Sequence, residues 1–421
     1  MSFITSCPSP SSQDPGHQVF RRRRCQASGA APLSDPWTAR PTPSAGPVDE
    51  LCADQHLRPH CKHALTHPIA SAPEQRKDRM SKTSDDPRID PRIKVLLDSF
   101  PYEGPPGDVA SRDELLAEAA TDEAIQMAEG MKAFMEACDN DVIAPSAGLR
   151  VHTEKVVSQP DGNTINIQFI RPDTDEELPC VYYIHGGGMQ TLSCFYGNYR
   201  AWGKIIAAQG VAVAMVDFRN SLTPSSVPEV EPFPAGLNDC VSGLKWVHAN
   251  ATTLGIDAGR IIVAGESGGG NLTLATGLKL KQDGELSLIQ GLYALCPYIA
   301  GQWPLPQNPS STENNGILLE LHNNRGAMAY GIEAFTAGNP LAWPGFATAD
   351  DVKGLPSTVI SVNECDPLRD EGINFYRLLI ANGVSARCRQ VMGTMHGTEI
   401  FLVCPEISRD TARDIAGFCK G

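Results

Sequence analysis

The chain has 421 residues, with 35 Lys and Arg against 49 Asp and Glu, which gives a formal net charge of −14 at pH 7. This acidic balance argues against nucleic acid or an anionic membrane as a partner, because both would repel the protein. The hydrophobic content of 41% allows a substantial core and excludes a wholly disordered chain. No apolar run reaches the ~18 residues of a membrane span, so we expect none.

The cysteines and the N-terminus both point to the cytoplasm. The 13 cysteines are odd in number and have no framework spacing, which is typical of reduced thiols. The first residues are rich in Ser and Pro, and no apolar stretch follows the Arg21–Arg24 run, so we expect no secretory signal.

Residues 1–79 differ in composition from the rest of the chain. They hold 11 of the 33 prolines, five of the ten histidines and ten basic against seven acidic residues. Without a helical or alternating pattern, this segment is predicted to be a disordered extension, and translation could start at Met80. Its cysteines and histidines match no zinc-finger spacing and have no hydrophobic framework around them, so we expect no metal site. These residues are Cys52, His56, His60, Cys61, His63 and His67.

Residues 80–150 are predicted to form N-terminal cap helices. Helical patterns cover 89–98 and 112–137, with Ser111 as N-cap of the second. The second helix is expected to pack an apolar face onto the rest of the protein. This face consists of Leu116, Ala120, Met127, Met131 and Phe134.

Residues 151–421 alternate strands and helices and are predicted to form the catalytic domain. The predicted strands are 151–157, 164–171, 180–184, 211–216, 260–264, 289–295, 357–362 and 386–391. The predicted helices are 198–208, 235–254, 268–282, 368–382 and 407–418, with another near 326–336. The central strands are apolar throughout, which favours a mostly parallel sheet covered by helices on both faces. Residues 298–345 break the alternation and are expected to be an insertion over a site.

A candidate nucleophile lies where a predicted strand meets a predicted helix. The sequence there is Gly265-Glu266-Ser267-Gly268-Gly269. A serine in this strand–turn–helix setting is exposed on a tight turn, and small residues must flank it. We therefore interpret Ser267 as a nucleophile rather than as part of a plain glycine turn.

A glycine motif follows the strand 180–184. It reads His185-Gly186-Gly187-Gly188. Glycines leave backbone N–H groups uncovered, so this loop can stabilise an oxyanion together with the N–H of Gly268. A phosphate loop would need a Lys or a longer glycine pattern, and the sequence has neither.

Two further residues complete a candidate triad. Asp366 and His396 each follow a predicted strand, and parallel strands bring their C-terminal ends to one edge of a sheet. His396 would take the proton of Ser267, and Asp366 would orient the imidazole. Asp370 and Glu371 compete for the acid role, but we expect them to cap the following helix or to form charge pairs on its surface.

Together these motifs resemble the bacterial hormone-sensitive-lipase-like carboxylesterases. The shared motifs are His185-Gly186-Gly187-Gly188, Gly265-Glu266-Ser267-Gly268-Gly269-Gly270-Asn271, Asp366-Pro367-Leu368-Arg369-Asp370 and His396-Gly397. The resemblance covers about residues 85–421. The sequence departs from the family pattern at Glu266, where Asp is usual, and at Gly268, where Ala is usual.

The resemblance implies an α/β-hydrolase fold with an eight-stranded sheet and a helical cap. It also implies hydrolysis of short-acyl esters by Ser267, Asp366 and His396, with Gly187, Gly188 and Gly268 as oxyanion donors. No metal or cofactor is implied, and the expected partner is a small-molecule ester. The sequence does not decide whether the protein forms a homodimer. Two other functions also remain open, namely an amidase or peptidase on the same triad and a non-catalytic ligand-binding homologue.

Overall fold

The structure is a computed structural model that describes Thr83 and residues 85–100 and 104–421. The extension 1–79 predicted to be disordered, with its group of cysteines and histidines, lies outside the described residues.

One eight-stranded sheet organises the described part of the chain. The strands are β1 (Leu149–Val157), β2 (Thr164–Pro172), β3 (Leu178–Ile184), β4 (Ala212–Asp217), β5 (Ile256–Glu266), β6 (Gly291–Leu295), β7 (Ser357–Cys365) and β8 (Ala386–Met395). Their order is β1-β2-β4-β3-β5-β6-β7-β8, and only the pairs that involve β2 are antiparallel. The prediction of a mostly parallel eight-stranded sheet is therefore confirmed.

The central strands are buried on both faces. In β3, Cys180 and Tyr182 pack into the core on one face of the sheet, while Val181 and Tyr183 pack into the core on the other. This alternation is the two-residue period of a strand, and both faces are apolar because helices cover both.

Helices surround the sheet. They are Pro91–Ser99, Arg112–Ala119, Asp122–Glu136, Gly197–Ala207, Ala235–Ala249, Ala251–Leu254, Gly268–Asp283, Ser310–Glu313, Arg325–Tyr330, Ile332–Thr336, Ala349–Val352, Arg369–Ala381, Thr398–Phe401 and Pro405–Lys420. Two short 3₁₀ turns lie at Leu286–Leu288 and Pro344–Phe346. Of the helices described, none has the length and apolar character needed to cross a bilayer.

Some predicted helices are divided in the structure. The segment 112–137 breaks after Ala119, because Thr121 caps a new helix by accepting a hydrogen bond from Ala124 N at 3.3 Å. The segment 235–254 breaks at Asn250, and the segment 326–336 breaks at Gly331, whose φ is 150°.

The expected packing face of 112–137 forms only in part: Phe134 packs against a core cluster, but Ala120 and Met127 are exposed. Leu115 and Met135 are the buried residues of these two helices, whereas Leu116 is half-buried and Met127 is 37% exposed. The break shifts the helical phase between the two halves, so one continuous stripe cannot form.

The helix Pro91–Ser99 packs beside the candidate site. Its buried residues Ile93, Leu96 and Leu97 share a cluster with Cys365 and Met395. These last two residues directly precede Asp366 and His396, so the N-terminal segment supports the loops that carry them. The assignment of 80–150 and 298–345 to a cap stays a prediction.

Candidate active site

Ser267 lies on a tight turn between β5 and the helix Gly268–Asp283. Its backbone has φ 56° and ψ −118°, a conformation that is strained for a residue with a side chain. Ser267 N donates to Leu295 O at 3.0 Å, and Ser267 O accepts from Tyr298 N at 3.1 Å. The turn is thus held in its strained form by the neighbouring strand and the segment that follows it.

The flanking glycines are required by close approach of the backbone. A Cβ at Gly265 would lie 2.5 Å from Ile184 O, and one at Gly269 would lie 2.0 Å from the same atom. A larger residue at Gly265 would push β5 away from β3, and one at Gly269 would push the following helix away from β3, which explains the small residues around Ser267.

Asp366 and His396 meet at the C-terminal ends of β7 and β8. His396 Nδ1 lies 2.8 Å from Asp366 Oδ2, and both side chains are buried. Asp366 Oδ1 accepts a hydrogen bond from Leu368 N at 2.8 Å, which fixes the carboxylate. Burial of the ring opposes protonation, but the charge of Asp366 and its hydrogen bond raise the pKa of His396 well above its ordinary value.

The competing carboxylates have other partners. Asp370 pairs with Arg369 and accepts from Ser310 N at 2.7 Å. Glu364, which lies two residues before Asp366 near the end of β7, is also engaged, since it accepts from Gly393 N at 2.7 Å. Glu371 is 4% exposed and not on the helix surface as expected, because it accepts hydrogen bonds from the backbone at Ile299 and the indole of Trp303.

The glycine motif forms a loop against the Ser267 turn. Gly187 and Gly188 have φ values of 94° and 64°, which favour glycine. Within the described residues, the N–H groups of these two glycines have no hydrogen-bond acceptor. Gly268 is the first residue of its helix, so its N–H also lacks an intrahelical acceptor.

The loop and the turn are in close contact at Gly268. A Cβ on Gly268 would lie 2.6 Å from Met189 N and 2.8 Å from Gly188 N. Free donors from two elements of the chain therefore lie side by side, as an oxyanion site requires. The contact also explains why glycine stands at a position where Ala is usual in the family that the motifs resemble.

His185 is buried at the base of the loop. Its ring stacks on Phe218 with centroids 4.3 Å apart, and its Nδ1 lies 2.9 Å from Gly186 O. Burial lowers the pKa of His185, although the nearby carboxylate of Asp217 opposes this shift.

Cys296 is a neighbour of the candidate triad that the sequence did not reveal. Ligating atoms of Cys296, Asp366 and His396 lie within 4.8 Å of one another, and burial raises the pKa of the thiol. A thiol, a carboxylate and an imidazole could in principle hold a borderline metal ion. Here the imidazole and the carboxylate are hydrogen-bonded to each other at 2.8 Å, which favours a proton-transfer role.

Comparison with known proteins agrees with this geometry. Residues 181–400 match the model of a family described as having the alpha/beta hydrolase fold. Carboxylesterase NlhH of Mycobacterium tuberculosis is 30% identical over 349 residues, which cover 78% of this chain and 95% of NlhH. The chain belongs to the hormone-sensitive-lipase-like carboxylesterases.

Solved structures of esterases support the same membership. Esterase Est22 is 68% identical, with a TM-score of 0.78 over 80% of this chain and 99% of Est22. Brefeldin A esterase, a bacterial homologue of human hormone-sensitive lipase, is 36% identical, with a TM-score of 0.72 over 81% of this chain and 96% of that protein. This α/β-hydrolase chain therefore spans nearly the full length of these three relatives.

Proposed function

We propose that this chain is a serine carboxylesterase that hydrolyses short-acyl esters through an acyl-enzyme. The observation that carries the proposal is the Asp366–His396 pair, with its 2.8 Å hydrogen bond, at the same sheet edge as the strained Ser267 turn. The names of NlhH and Est22 support ester hydrolysis as the reaction.

In the first half-reaction, Ser267 Oγ attacks the carbonyl carbon of the ester. His396 accepts the serine proton at Nε2, while its Nδ1–H donates to Asp366. The carbonyl π electrons move to oxygen, and the N–H groups of Gly187, Gly188 and Gly268 stabilise this oxyanion. Collapse of the intermediate breaks the bond to the alcohol oxygen, which takes the proton from His396.

In the second half-reaction, water replaces the alcohol. His396 removes a proton from water, and the resulting hydroxide attacks the acyl carbon of the Ser267 ester. The acid leaves, and the proton returns from His396 to Ser267. The reaction consumes one ester and one water and yields one acid and one alcohol.

The raised pKa of His396 suits both halves of this cycle. The Asp366 carboxylate stabilises the imidazolium that forms when the serine proton is transferred. The same charge makes His396 a stronger base toward Ser267. Buried cysteines such as Cys180, Cys194 and Cys240 are free thiols, which is consistent with the expected cytoplasmic compartment.

The experiment compares the wild-type chain with Ser267→Ala on p-nitrophenyl acetate and butyrate. Est22 has been solved with p-nitrophenol, the alcohol that these esters release. We expect Ser267→Ala to lose at least about 10³-fold in kcat with an unchanged melting temperature. Retention of a substantial kcat by this variant would contradict the proposal.

A further inference from the structure

Glu266, the residue before the nucleophile, makes contacts that ester hydrolysis alone does not explain. Its carboxylate is 1% exposed at the C-terminal end of β5. Oε1 accepts hydrogen bonds from Gly186 N and from Tyr199 Oη, both at 2.6 Å, and Oε2 accepts one from Tyr183 Oη at 2.5 Å. Three donors thus fix the orientation of both oxygens.

One of these donors belongs to the glycine loop itself. Gly186 N donates to Glu266 Oε1, and it also donates to Tyr199 Oη at 3.1 Å. A Cβ at Gly186 would lie 2.5 Å from Glu266 Oε1, so the contact requires glycine. The first N–H of the loop is therefore used to attach the loop to β5 and is not free for substrate.

The attachment joins the two elements that hold the candidate oxyanion donors. β3 and β5 are adjacent, with Ile184 paired to Gly265, so Glu266 lies beside the start of the loop. Gly187 and Gly188 follow the attached peptide, while Gly268 follows Glu266 by two residues on the other element. One side chain thus sets the spacing between donors from separate parts of the chain.

We propose that Glu266 is a positioning residue that holds the loop Gly186–Gly188 against the nucleophile turn, so that the oxyanion donors converge. This inference depends on the proposed function, because it assumes an oxyanion formed by attack of Ser267. Preorganised donors stabilise the transition state more than the ground state, so their misplacement lowers kcat more than it raises KM.

A purely structural role for Glu266 predicts a different result. The buried carboxylate would then stabilise the fold, and its loss would lower the yield or the melting temperature. The hydrogen bonds that the folded enzyme donates to the substrate oxygen in the transition state would not change. A thionoester distinguishes the two roles, because its sulfur is a poorer acceptor than the carbonyl oxygen of the matched ester. An intact oxyanion site prefers the ester strongly, and a misaligned site prefers it less.

The experiment measures kcat and KM for a matched ester and thionoester with the full chain and Glu266→Gln. The glutamine side chain has one acceptor oxygen, and its NH₂ group would face hydrogen-bond donors such as Gly186 N–H or the tyrosine hydroxyls. We expect Glu266→Gln to lower kcat for the ester by about 10- to 100-fold with KM changed less than about threefold. We also expect the ester-to-thionoester ratio of kcat/KM to fall several-fold.

Two tyrosine variants keep the test decisive if Glu266→Gln does not fold. Tyr199→Phe removes a hydroxyl that contacts both Glu266 and Gly186 N, and it should lower the ester-to-thionoester ratio in the same direction. Tyr293→Phe is the matched control, because it removes the hydroxyl of another buried tyrosine that donates to a carboxylate, Asp414, outside the triad and the glycine loop. The ester-to-thionoester ratio of kcat/KM for Tyr293→Phe should equal that of the wild type.

The inference is overturned if the folded Glu266→Gln and Tyr199→Phe variants keep the wild-type ratio, whatever their absolute rates. That result would leave the proposed function intact. The proposed function itself fails on a separate observation, namely ester hydrolysis that persists in Ser267→Ala.

Discussion

His396 Nδ1 lies 2.8 Å from Asp366 Oδ2, whereas Asp370, four residues further on, pairs with Arg369. Asp366→Asn should therefore lower kcat by roughly 10³- to 10⁴-fold, because an amide at this position favours the wrong tautomer of the imidazole. Asp370→Asn should keep kcat close to wild type. Steady-state kinetics on p-nitrophenyl butyrate check this pair, and a larger loss at Asp370 would reverse the assignment.

The rate should rise with pH as His396 loses its proton, because only the neutral imidazole can accept the serine proton. Since the Asp366 charge raises the pKa of His396, the midpoint of kcat/KM should lie on the alkaline side of 6.5. In Asp366→Asn the residual activity should have a midpoint at lower pH, because the charge that stabilised the imidazolium is gone. A midpoint that does not move would mean that Asp366 does not act on His396.

Gly268→Ala should damage activity, although Ala is the residue expected at this position from the family pattern. The added Cβ would lie 2.6 Å from Met189 N, so the glycine loop must move away from the turn. We expect a lower kcat with a nearly unchanged KM. Gly417→Ala is a suitable control, because a Cβ there meets nothing within 4 Å on a helix. Equal kinetics for both variants would contradict a tight contact between loop and turn.

Truncation should separate two N-terminal segments. A chain that starts at Met80 should keep its melting temperature and kcat/KM, because the removed segment is rich in proline and has no apolar pattern. A chain that starts at Gly104 also loses Ile93, Leu96 and Leu97, which pack with Cys365 and Met395. Exposing that surface costs about 25 cal/mol per Å² and loosens the Asp366 and His396 loops.

Thermal melts and kinetics on the two truncated chains, purified side by side, check this prediction. Unchanged stability in the chain from Gly104 would mean that the helix Pro91–Ser99 contributes nothing to the site.

The strands were predictable because their apolar runs are local. β3 and β4 are buried along their whole length, so each reads as a continuous apolar segment. β5 is continuously buried only from Ile261 onward, and the prediction of 260–264 missed its start at Ile256. The order of Ser267, Asp366 and His396 followed from the positions of strand ends along the chain. The fold and the candidate triad therefore needed no knowledge of long-range contacts.

Other features depended on contacts that the sequence does not encode locally. Glu371 reads as a helix-surface acid, yet the backbone at Ile299 and the indole of Trp303 satisfy its carboxylate in the core. The break at Thr121 was missed because the apolar residues on either side suggested one uninterrupted helix. The nearness of Cys296 to Asp366 and His396 depends on the order β6-β7-β8 in the sheet and has no sequence signature.

The most direct test of the account is to locate the covalent adduct of a serine-directed phosphonate ester by peptide mass spectrometry. The account predicts stoichiometric inactivation with the added mass on Ser267, and no labelling of Ser267→Ala under the same conditions. An adduct on another residue of the folded, inactivated wild-type enzyme would contradict the account. Loss of ester hydrolysis on inhibitor treatment while Ser267 remains unmodified would contradict it as well.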